Sequence, residues 1–410
     1  MQCQPLRALA LGQAKAMMTA MKTEDWIADE LASCRRQGLD RHLKVLSGAG
    51  GKITLGGKVM LNLASNDYLD LSRHPAVISA AIGALRNFGA GATASRLVTG
   101  TLAIHEELEH ALAKHKGYPS SLVFGSGYMT NSGVITSLVG RSDTVFVDKL
   151  AHASILDAVM LSRAKLCRFR HNDVQHLVEL LRKSGSCGRR LIVTESVFSM
   201  DGDVAPLSEI AAVAHASSAM LMVDEAHSTG VFGPAGAGLA RELKLEKDIT
   251  VSMGTLSKAL GGYGGFAAFS VEVRELMINV ARSFIFSTGL PPASAASALA
   301  ALGVLAARPF MGKDLLKKAD VFRKRLKDAG LDTGNSTSQI IPVMVADNRL
   351  VIELAGRLRK RDIIVAAIRP PAVPVGTARL RLSVTLAHTA DDLERVSDEI
   401  VRAAKDAGIV

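Results

Sequence analysis

Short apolar runs alternate with stretches of helical spacing through the middle of the chain. Strands are predicted at residues 121–124, 144–147, 166–169, 191–194, 220–223, 250–253 and 265–270, with helical patterns between them. This alternation is typical of a mostly parallel sheet with helices on both faces. The pattern therefore predicts an α/β fold.

The regions on either side of this segment have different patterns. A helix is predicted over residues 26–44 and a strand over 58–63. The Pro291-Pro292 pair marks a boundary, because proline stops the preceding element. Helical runs and strands at 339–345 and 379–385 follow it. We expect an N-terminal extension with a helix over residues 1–60, a large domain over 61–290 and a small C-terminal α+β domain over 291–410.

The first twenty residues contain Arg7 and Lys15 and no acidic residue, which is compatible with a targeting segment. The favoured interpretation is that the chain proper begins near Met21. Thr23 is followed by two acidic residues, which is typical of the start of a helix. Whether residues 1–20 belong to the natural protein stays open.

The composition narrows the class of partner. A net charge of +10 would suit nucleic acid, but the basic residues come in pairs and aromatic residues make up only 4%, so we expect no nucleic-acid partner. An anionic substrate or carrier accounts for the charge as well. No apolar run approaches the about 18 residues that a membrane span needs. The four cysteines are scattered, which predicts reduced thiols in the cytoplasm, no disulfide framework and no metal site: Cys3, Cys34, Cys167 and Cys187.

Polar residues follow three of the predicted strands at their carboxyl ends, which is where ligands bind in open α/β sheets. The first ends in residues 195–202, the second in Asp224-Glu225-Ala226-His227, and the third is followed by Thr255-Leu256-Ser257-Lys258. No acidic residue lies within seven positions of Lys258, and glycines follow it. The segment therefore predicts an amine held in a small polar pocket.

Three other known motifs match the chain only in part. The DEAH sequence at 224–227 would need the phosphate loop G-x-x-x-x-G-K of a helicase, and the chain has none. The S-x-x-K pattern of serine acylases requires serine where Thr255 stands. His105 and His110 are five positions apart, not the four of a zinc-protease helix, and we expect residues 105–110 to form a solvated helix surface.

A pyridoxal-phosphate site needs a lysine for the aldehyde, an acid for the ring nitrogen and donors for the phosphate. Lys258, Asp224 and the loop at 125–128 supply these in turn. Three residues after the acid, His227 can reach the phenolic oxygen of the ring. His152 is a candidate for lying flat on the ring face.

Several motifs together resemble the α-oxoamine synthases, which are fold-type I pyridoxal-phosphate enzymes that join an amino acid to an acyl thioester with loss of carbon dioxide. The motifs are Asn66-Asp67-Tyr68-Leu69, Ser126-Gly127-Tyr128, His152-Ala153-Ser154, residues 195–202, residues 224–230 and residues 255–258. Residues 368–382 and 171–173 are most similar to the branch that makes 8-amino-7-oxononanoate from L-alanine and a pimeloyl thioester in biotin synthesis. Glycine-using branches, which make 2-amino-3-oxobutyrate or 5-aminolevulinate, stay open. Coenzyme A and acyl carrier protein stay open as carriers.

The resemblance also implies roles for single residues. Lys258 would carry the cofactor, Asp224 would bind the ring nitrogen, His227 and Ser199 the ring oxygen, and His152 would stack on the ring. Gly127, Tyr128 and Thr255 would bind the phosphate, with Ser287 and Thr288 reaching it from the other subunit of a homodimer. Arg381 would hold the amino acid carboxylate, and Arg41 and Asn66 would line the substrate side. Ala372 replaces a threonine of the best-known relatives, so only backbone contacts to substrate are expected there.

Overall fold

A computed structural model of the chain describes residues 25–185 and 188–410. The expectations for residues 1–24, including a targeting segment and a helix start at Thr23, lie outside the described residues. Cys3 and Cys187 lie outside them as well.

A seven-stranded sheet forms the centre of the molecule. Its strand order is β3-β9-β8-β7-β6-β4-β5, and every neighbouring pair is parallel except the two that β9 makes. These strands are Ser120–Phe124 (β3), Thr144–Asp148 (β4), Lys165–Phe169 (β5), Arg190–Glu195 (β6), Met220–Asp224 (β7), Val251–Thr255 (β8) and Gly265–Phe269 (β9). The predicted α/β fold with a mostly parallel sheet is therefore confirmed.

Apolar side chains cover both faces of this sheet. On β4, Val145 and Val147 pack into one core cluster, whereas Phe146 between them packs into the other. Side chains alternate between the two faces of a strand, so a strand that is buried on both faces must be apolar throughout. This explains why the sequence shows continuous apolar runs here.

The described residues also form two three-stranded sheets, in the orders β1-β2-β11 and β10-β13-β12. Their strands are Lys52–Leu55 (β1), Lys58–Asn62 (β2), Ile340–Ala346 (β10), Ile363–Ile364 (β11), Ala366–Ile368 (β12) and Ala378–Ser383 (β13). The hairpin β1-β2 pairs with β11 from the C-terminal part of the chain. The division at residues 60 and 290 stays a prediction.

Helices connect and cover the sheets. They are Asp25–Arg36 (α1), Pro75–Phe88 (α2), Ala103–Lys116 (α3), Gly127–Leu138 (α4), Ala153–Ser162 (α5), Val174–Lys183 (α6), Leu207–Ala216 (α7), Leu239–Glu242 (α8), Val271–Val280 (α9), Arg282–Ile285 (α10), Pro292–Ala307 (α11), Met311–Asp328 (α12), Asn348–Lys360 (α13) and Ala390–Lys405 (α14). Within the described residues, no single helix is long and apolar enough to cross a membrane, and the one pair that passes that test together, α11 and α12, is bent by 80°.

Two predictions from local pattern were wrong. Helix α1 ends at Arg36, not near residue 44, because Gly38 adopts a positive φ of 63°, a conformation that commonly ends helices. The segment 105–110 is not wholly solvated, since His105 and Glu109 are buried. Glu109 pairs with Arg96 at 2.7 Å, and a His105 ring nitrogen lies 2.7 Å from the Leu290 carbonyl oxygen.

Candidate active site

The carboxyl ends of β6, β7 and β8 surround a cavity of about 170 Å³. The structure brings together seven predicted site residues in its lining: Gly127, Tyr128, His152, Asp224, His227, Thr255 and Lys258. It adds six that were not predicted as site residues: Asn131, Ser154, Glu195, Ala226, Met253 and Ser257. The loops after parallel strands meet at one sheet edge, which is why residues distant in sequence share this cavity.

Asp224 ends β7 and is 5% exposed. Its Oδ1 accepts a hydrogen bond from the Ala226 backbone N–H at 2.9 Å, and its Oδ2 accepts one from Asn131 Nδ2 at 2.9 Å. Asn131 Oδ1 is buried without a hydrogen-bond partner among the described residues. This cavity therefore holds a fixed carboxylate and an acceptor that a ligand could satisfy.

Lys258 follows β8 and is half-buried. Burial lowers the pKa of its amine below the usual 10.5, and the charge of Arg381 acts in the same direction. The carboxyl groups of Asp224 and Glu195 oppose this shift without cancelling it. A lowered pKa increases the fraction of neutral amine, which is the form that reacts with an aldehyde and accepts a proton.

His152 is the N-cap residue of α5. Its backbone N–H donates to Glu195 Oε1 at 2.7 Å, which fixes the start of the helix to the end of β6. Burial lowers the pKa of the His152 imidazole, and the negative charge of Asp224 offsets this only in part. Burial and the neighbouring Asp224 raise the pKa of Glu195 well above its usual value, which favours its neutral form.

His227 is buried, and its Nδ1 lies 2.7 Å from the hydroxyl oxygen of Tyr68. Burial and the positive charges of Lys258 and Arg381 lower the pKa of His227 well below its usual value. Its imidazole is therefore neutral at pH 7.

The N-terminal end of α4 faces the same cavity. The backbone N–H groups of Gly127 and Tyr128 donate no hydrogen bond within the described residues. A Cβ on Gly127 would lie 2.9 Å from Met253 Cε, so a side chain there would crowd the cavity wall. The hydroxyls of Thr255 and Ser257 lie 2.7 Å apart on the cavity lining. Backbone donors and hydroxyls of this kind fit a phosphate group.

Arg381 on β13 is 5% exposed and forms no ion pair within the described residues. Its Nε donates to the Ser199 carbonyl oxygen at 2.6 Å, and its Nη2 donates to Asn66 Oδ1 at 3.2 Å. A buried guanidinium without a carboxylate partner is costly unless a ligand supplies the negative charge. Arg381 thus contacts both Asn66 and Ser199, and the separate roles expected of these three residues stay predictions.

A second cavity, of about 440 Å³, adjoins the first, and His152 lines both. Its walls come from the segments after β4 and β6 and from residues 371–374, and they include Ser199 and Ala372. Lys149 and Arg168 add positive charge to the wall. A small polar cavity opening into a larger one can hold a compact cofactor and a longer anionic substrate.

The segment before β1 is hydrogen-bonded to residues 369 and 370, which come directly before the wall residues 371–374 of this second cavity. Arg41 Nη2 donates to the Pro370 carbonyl oxygen at 3.1 Å, and Arg369 donates to the carbonyl oxygens of Gly38 and Asp40. Arg41 therefore lies beside the cavity wall but does not line either cavity. Ser287 and Thr288 also line neither cavity of their own chain.

His171 joins the loops around the second cavity. Its Nδ1 donates to Asp148 Oδ1 at 3.0 Å and its Nε2 to Asp203 Oδ2 at 2.7 Å. Burial alone would lower the pKa of His171, but these two carboxylates raise it to about 10. The ring also packs edge-on against Phe198 at a centroid distance of 4.4 Å. A charged imidazole thus stabilises the segment that carries Ser199.

The chain is similar to known proteins over most of its length. Residues 58–400 match the family described as aminotransferase class I and II. The 8-amino-7-oxononanoate synthase of Geobacter sulfurreducens is 47% identical over 387 residues, covering 94% of this chain and 99% of that protein. The 8-amino-7-oxononanoate synthase of Citrifermentans bemidjiense is 45% identical over 388 residues, covering 93% of this chain and 99% of that protein.

Solved structures agree with these similarities. A serine palmitoyltransferase variant from S. paucimobilis with a bound PLP–myriocin aldimine has a TM-score of 0.90 and 33% identity, covering 95% of this chain and 99% of that chain. The 8-amino-7-oxononanoate synthase of Francisella tularensis has a TM-score of 0.75 and 29% identity, covering 85% of this chain and 99% of that chain.

Proposed function

The chain belongs to the class I and II aminotransferase family and, within it, to the α-oxoamine synthases, and from this premise we propose that it condenses L-alanine with a pimeloyl thioester. The products are 8-amino-7-oxononanoate, carbon dioxide and the free thiol carrier, as biotin synthesis requires. The near full-length similarity to relatives named 8-amino-7-oxononanoate synthase carries this proposal. The fold is that of a fold-type I pyridoxal-phosphate transferase.

The smaller cavity fits pyridoxal phosphate, the cofactor of this family. When bound, the cofactor supplies an aldehyde that amines attack and a ring that withdraws electrons from the substrate Cα. Lys258 would hold it covalently, and Asp224 would keep its ring nitrogen protonated. The donors around Gly127 and Thr255 would hold its phosphate. Asn131 Oδ1, which has no hydrogen-bond partner in the described part of the chain, and the crowding that a Cβ on Gly127 would cause support this fit.

We assign substrate binding, proton removal and oxyanion stabilisation to side chains that line or adjoin the two cavities. Arg381 lacks an ion-pair partner within the described residues and would bind the alanine carboxylate. Lys258, with its lowered pKa, would remove the Cα proton of alanine. His152 lines both cavities, so it can donate a hydrogen bond to the oxyanion that develops on the thioester carbonyl.

We also propose a cytoplasmic homodimer with its active site at the subunit interface. Ser287 and Thr288 would reach the phosphate of the partner's cofactor, which is compatible with their position outside both cavities of their own chain. Leu97, Val98 and Phe286 are large apolar residues with exposed side chains, as expected of a surface that a second subunit covers. Light scattering at several concentrations tests the dimer, and a monomer with full activity would contradict it.

An assay of carbon dioxide release tests the reaction. Alanine, glycine and serine are each paired with pimeloyl, acetyl, succinyl and palmitoyl thioesters, on coenzyme A and on acyl carrier protein. We expect the highest kcat/KM for alanine with a pimeloyl thioester. A preference for glycine would indicate another branch of the family, and a preference for serine with palmitoyl thioester would indicate serine palmitoyltransferase activity.

The cofactor assignment has a separate test. The purified protein should absorb at about 420 nm, as lysine-bound pyridoxal phosphate does. Lys258→Ala should lose this band. Lys318→Ala is a matched control, because Lys318 is also half-buried with a lowered pKa but donates to the backbone carbonyls of Leu386 and His388. Retention of the band in Lys258→Ala would refute the assignment.

A further inference from the structure

Four side chains form a continuous hydrogen-bonded chain in the wall of the smaller cavity. Asn131 Nδ2 lies 2.9 Å from Asp224 Oδ2 and 2.9 Å from Ser154 Oγ. Ser154 Oγ in turn lies 2.8 Å from His152 Nδ1. Asn131 is 1% exposed and so is Ser154, so these contacts lie away from bulk water. The chain connects the acid proposed for the cofactor nitrogen to the histidine that lines both cavities.

The chemistry of the groups fixes the direction of every hydrogen bond. An ionised carboxylate only accepts, so the amide atom beside Asp224 must be the Asn131 nitrogen, and its second hydrogen points to Ser154 Oγ. Ser154 Oγ accepts that hydrogen bond, and among the described residues the acceptor for its own hydrogen is His152 Nδ1 at 2.8 Å. The Ser154 backbone N–H also donates to His152 Nδ1, at 3.2 Å. With two donors directed at it, this nitrogen carries no proton.

We propose that Asn131 and Ser154 are positioning residues that hold His152 in the tautomer with its proton on Nε2. The hydrogen bond that the other ring nitrogen makes decides which nitrogen of a histidine carries the proton. Nε2 forms no hydrogen bond within the described residues, so its N–H remains available to a ligand. This inference rests on the proposed function for its consequence: His152 then offers a donor, not an acceptor, to the thioester carbonyl.

The charges around His152 agree with a neutral ring. Burial and the positive charge of Lys258 lower the pKa of its imidazole, against the opposing charges of Asp224 and Asp157. A neutral imidazole has one donor and one acceptor, so its tautomer decides whether it can stabilise an oxyanion. Without the chain to Asp224, only the Ser154 backbone N–H at 3.2 Å would still donate to Nδ1, so the Nδ1–H tautomer would become more populated and that part of the enzyme would present an acceptor to the substrate.

Nitrogen NMR of the cofactor-free protein with ¹⁵N-labelled histidine tests the tautomer directly, with His152→Gln used to assign the signals. We expect the wild-type His152 to show a protonated Nε2 and an unprotonated Nδ1. Ser154→Ala and Asn131→Ala should show a measurable fraction of the Nδ1–H tautomer, whereas Ser154→Thr, which keeps the hydroxyl, should resemble wild type. Ser162→Ala is the matched control, because Ser162 lies on the same helix and donates to the Val159 carbonyl oxygen.

Kinetics with the cofactor-loaded enzyme provide a second readout. Ser154→Ala should lower kcat by about three- to tenfold, since part of the oxyanion donor is lost. It should leave the KM for alanine unchanged, because Arg381 binds the carboxylate. A wild-type Nδ1–H signal, or an unchanged tautomer in both alanine variants, would overturn the inference. If the NMR pattern appears but alanine and pimeloyl thioester give no product, the proposed function fails and the tautomer assignment stands.

Discussion

The buried ion pair between Lys116 and Glu225 allows a quantitative prediction about stability. Lys116 Nζ lies 2.5 Å from Glu225 Oε2, and the side chains are 1% and 0% exposed. The charge of Lys116 keeps the pKa of Glu225 below its usual value although burial opposes this. The two partners differ in what surrounds them. Glu225 also accepts hydrogen bonds from the Ala240 N–H at 3.0 Å and the Ser252 hydroxyl at 2.8 Å, whereas the other partner of Lys116 Nζ among the described residues is Thr229 Oγ1 at 3.4 Å.

This asymmetry predicts an order of effects. Glu225→Gln removes the negative charge that compensates the buried ammonium and should cost about 3–5 kcal/mol of unfolding free energy, the usual cost of an uncompensated buried charge. Lys116→Met leaves a carboxylate that keeps its other donors, so its cost should fall at about the lower end of that range. The double variant buries no charge and should lie within about 2 kcal/mol of wild type, because the two changes are strongly coupled.

Equilibrium urea denaturation of the cofactor-free protein measures these differences, with recovery on dilution checked for each variant. The matched control is Lys324→Met, which breaks the 2.6 Å pair with Asp328 on an exposed helix surface and should leave the midpoint unchanged. The reasoning is refuted if Glu225→Gln behaves like this control. It is also refuted if the double variant is no more stable than the less stable of the two single variants.

Three further predictions concern the site and its surroundings. His171→Asn should destabilise the protein most below pH 6.5, and the difference from wild type should shrink toward pH 10. The reason is that His171 stabilises the fold only while its imidazole is protonated. A difference in unfolding free energy that does not change with pH in urea denaturation would contradict this. Glu195→Gln should become progressively more stable than wild type as the pH rises above 4.5, because burial of an ionised Glu195 costs free energy. The same pH series measures the difference in unfolding free energy between the two proteins. A difference that stays constant with pH would contradict this. Gly127→Ala should weaken cofactor binding by about tenfold in a fluorescence titration, because the added Cβ would lie 2.9 Å from Met253 Cε; unchanged affinity would show that the methionine moves aside freely.

The sequence predicted the central sheet because most of its strands, such as β4 and β9, are short and largely apolar runs that are buried on both faces. It also predicted that Asp224 and Lys258 would lie together, since both follow such strands and the carboxyl ends of parallel strands meet at one edge. The roles of the individual site residues remain predictions. The resemblance to a family supplied Arg381, whose position on β13 in the C-terminal part of the chain has no local signal.

Other site residues had no usable signal in the sequence. Asn131 lies in the second turn of α4 in an ordinary helical context, and only its contact with Asp224, 93 positions away, reveals its importance. Glu195 was part of a recognised motif, but its burial and raised pKa depend on packing between strands. His105 and Glu109 were misjudged for the same reason, because the spacing of charges along α3 does not show that Arg96 and Leu290 cover that face.

Asp224 and Glu225 show how one pair of neighbouring residues can separate function from stability. Side chains at successive positions of a strand point to opposite faces, so two adjacent acids at a strand end enter different environments. Asp224 meets Asn131 at the cavity, and its negative charge is the one that a cationic ligand can use. Glu225 meets Lys116 in the core, and its charge is already neutralised. The acidic pair in the sequence is therefore not two candidates for one role, and the lysine 109 positions before Glu225 decides which of them remains available to a cofactor.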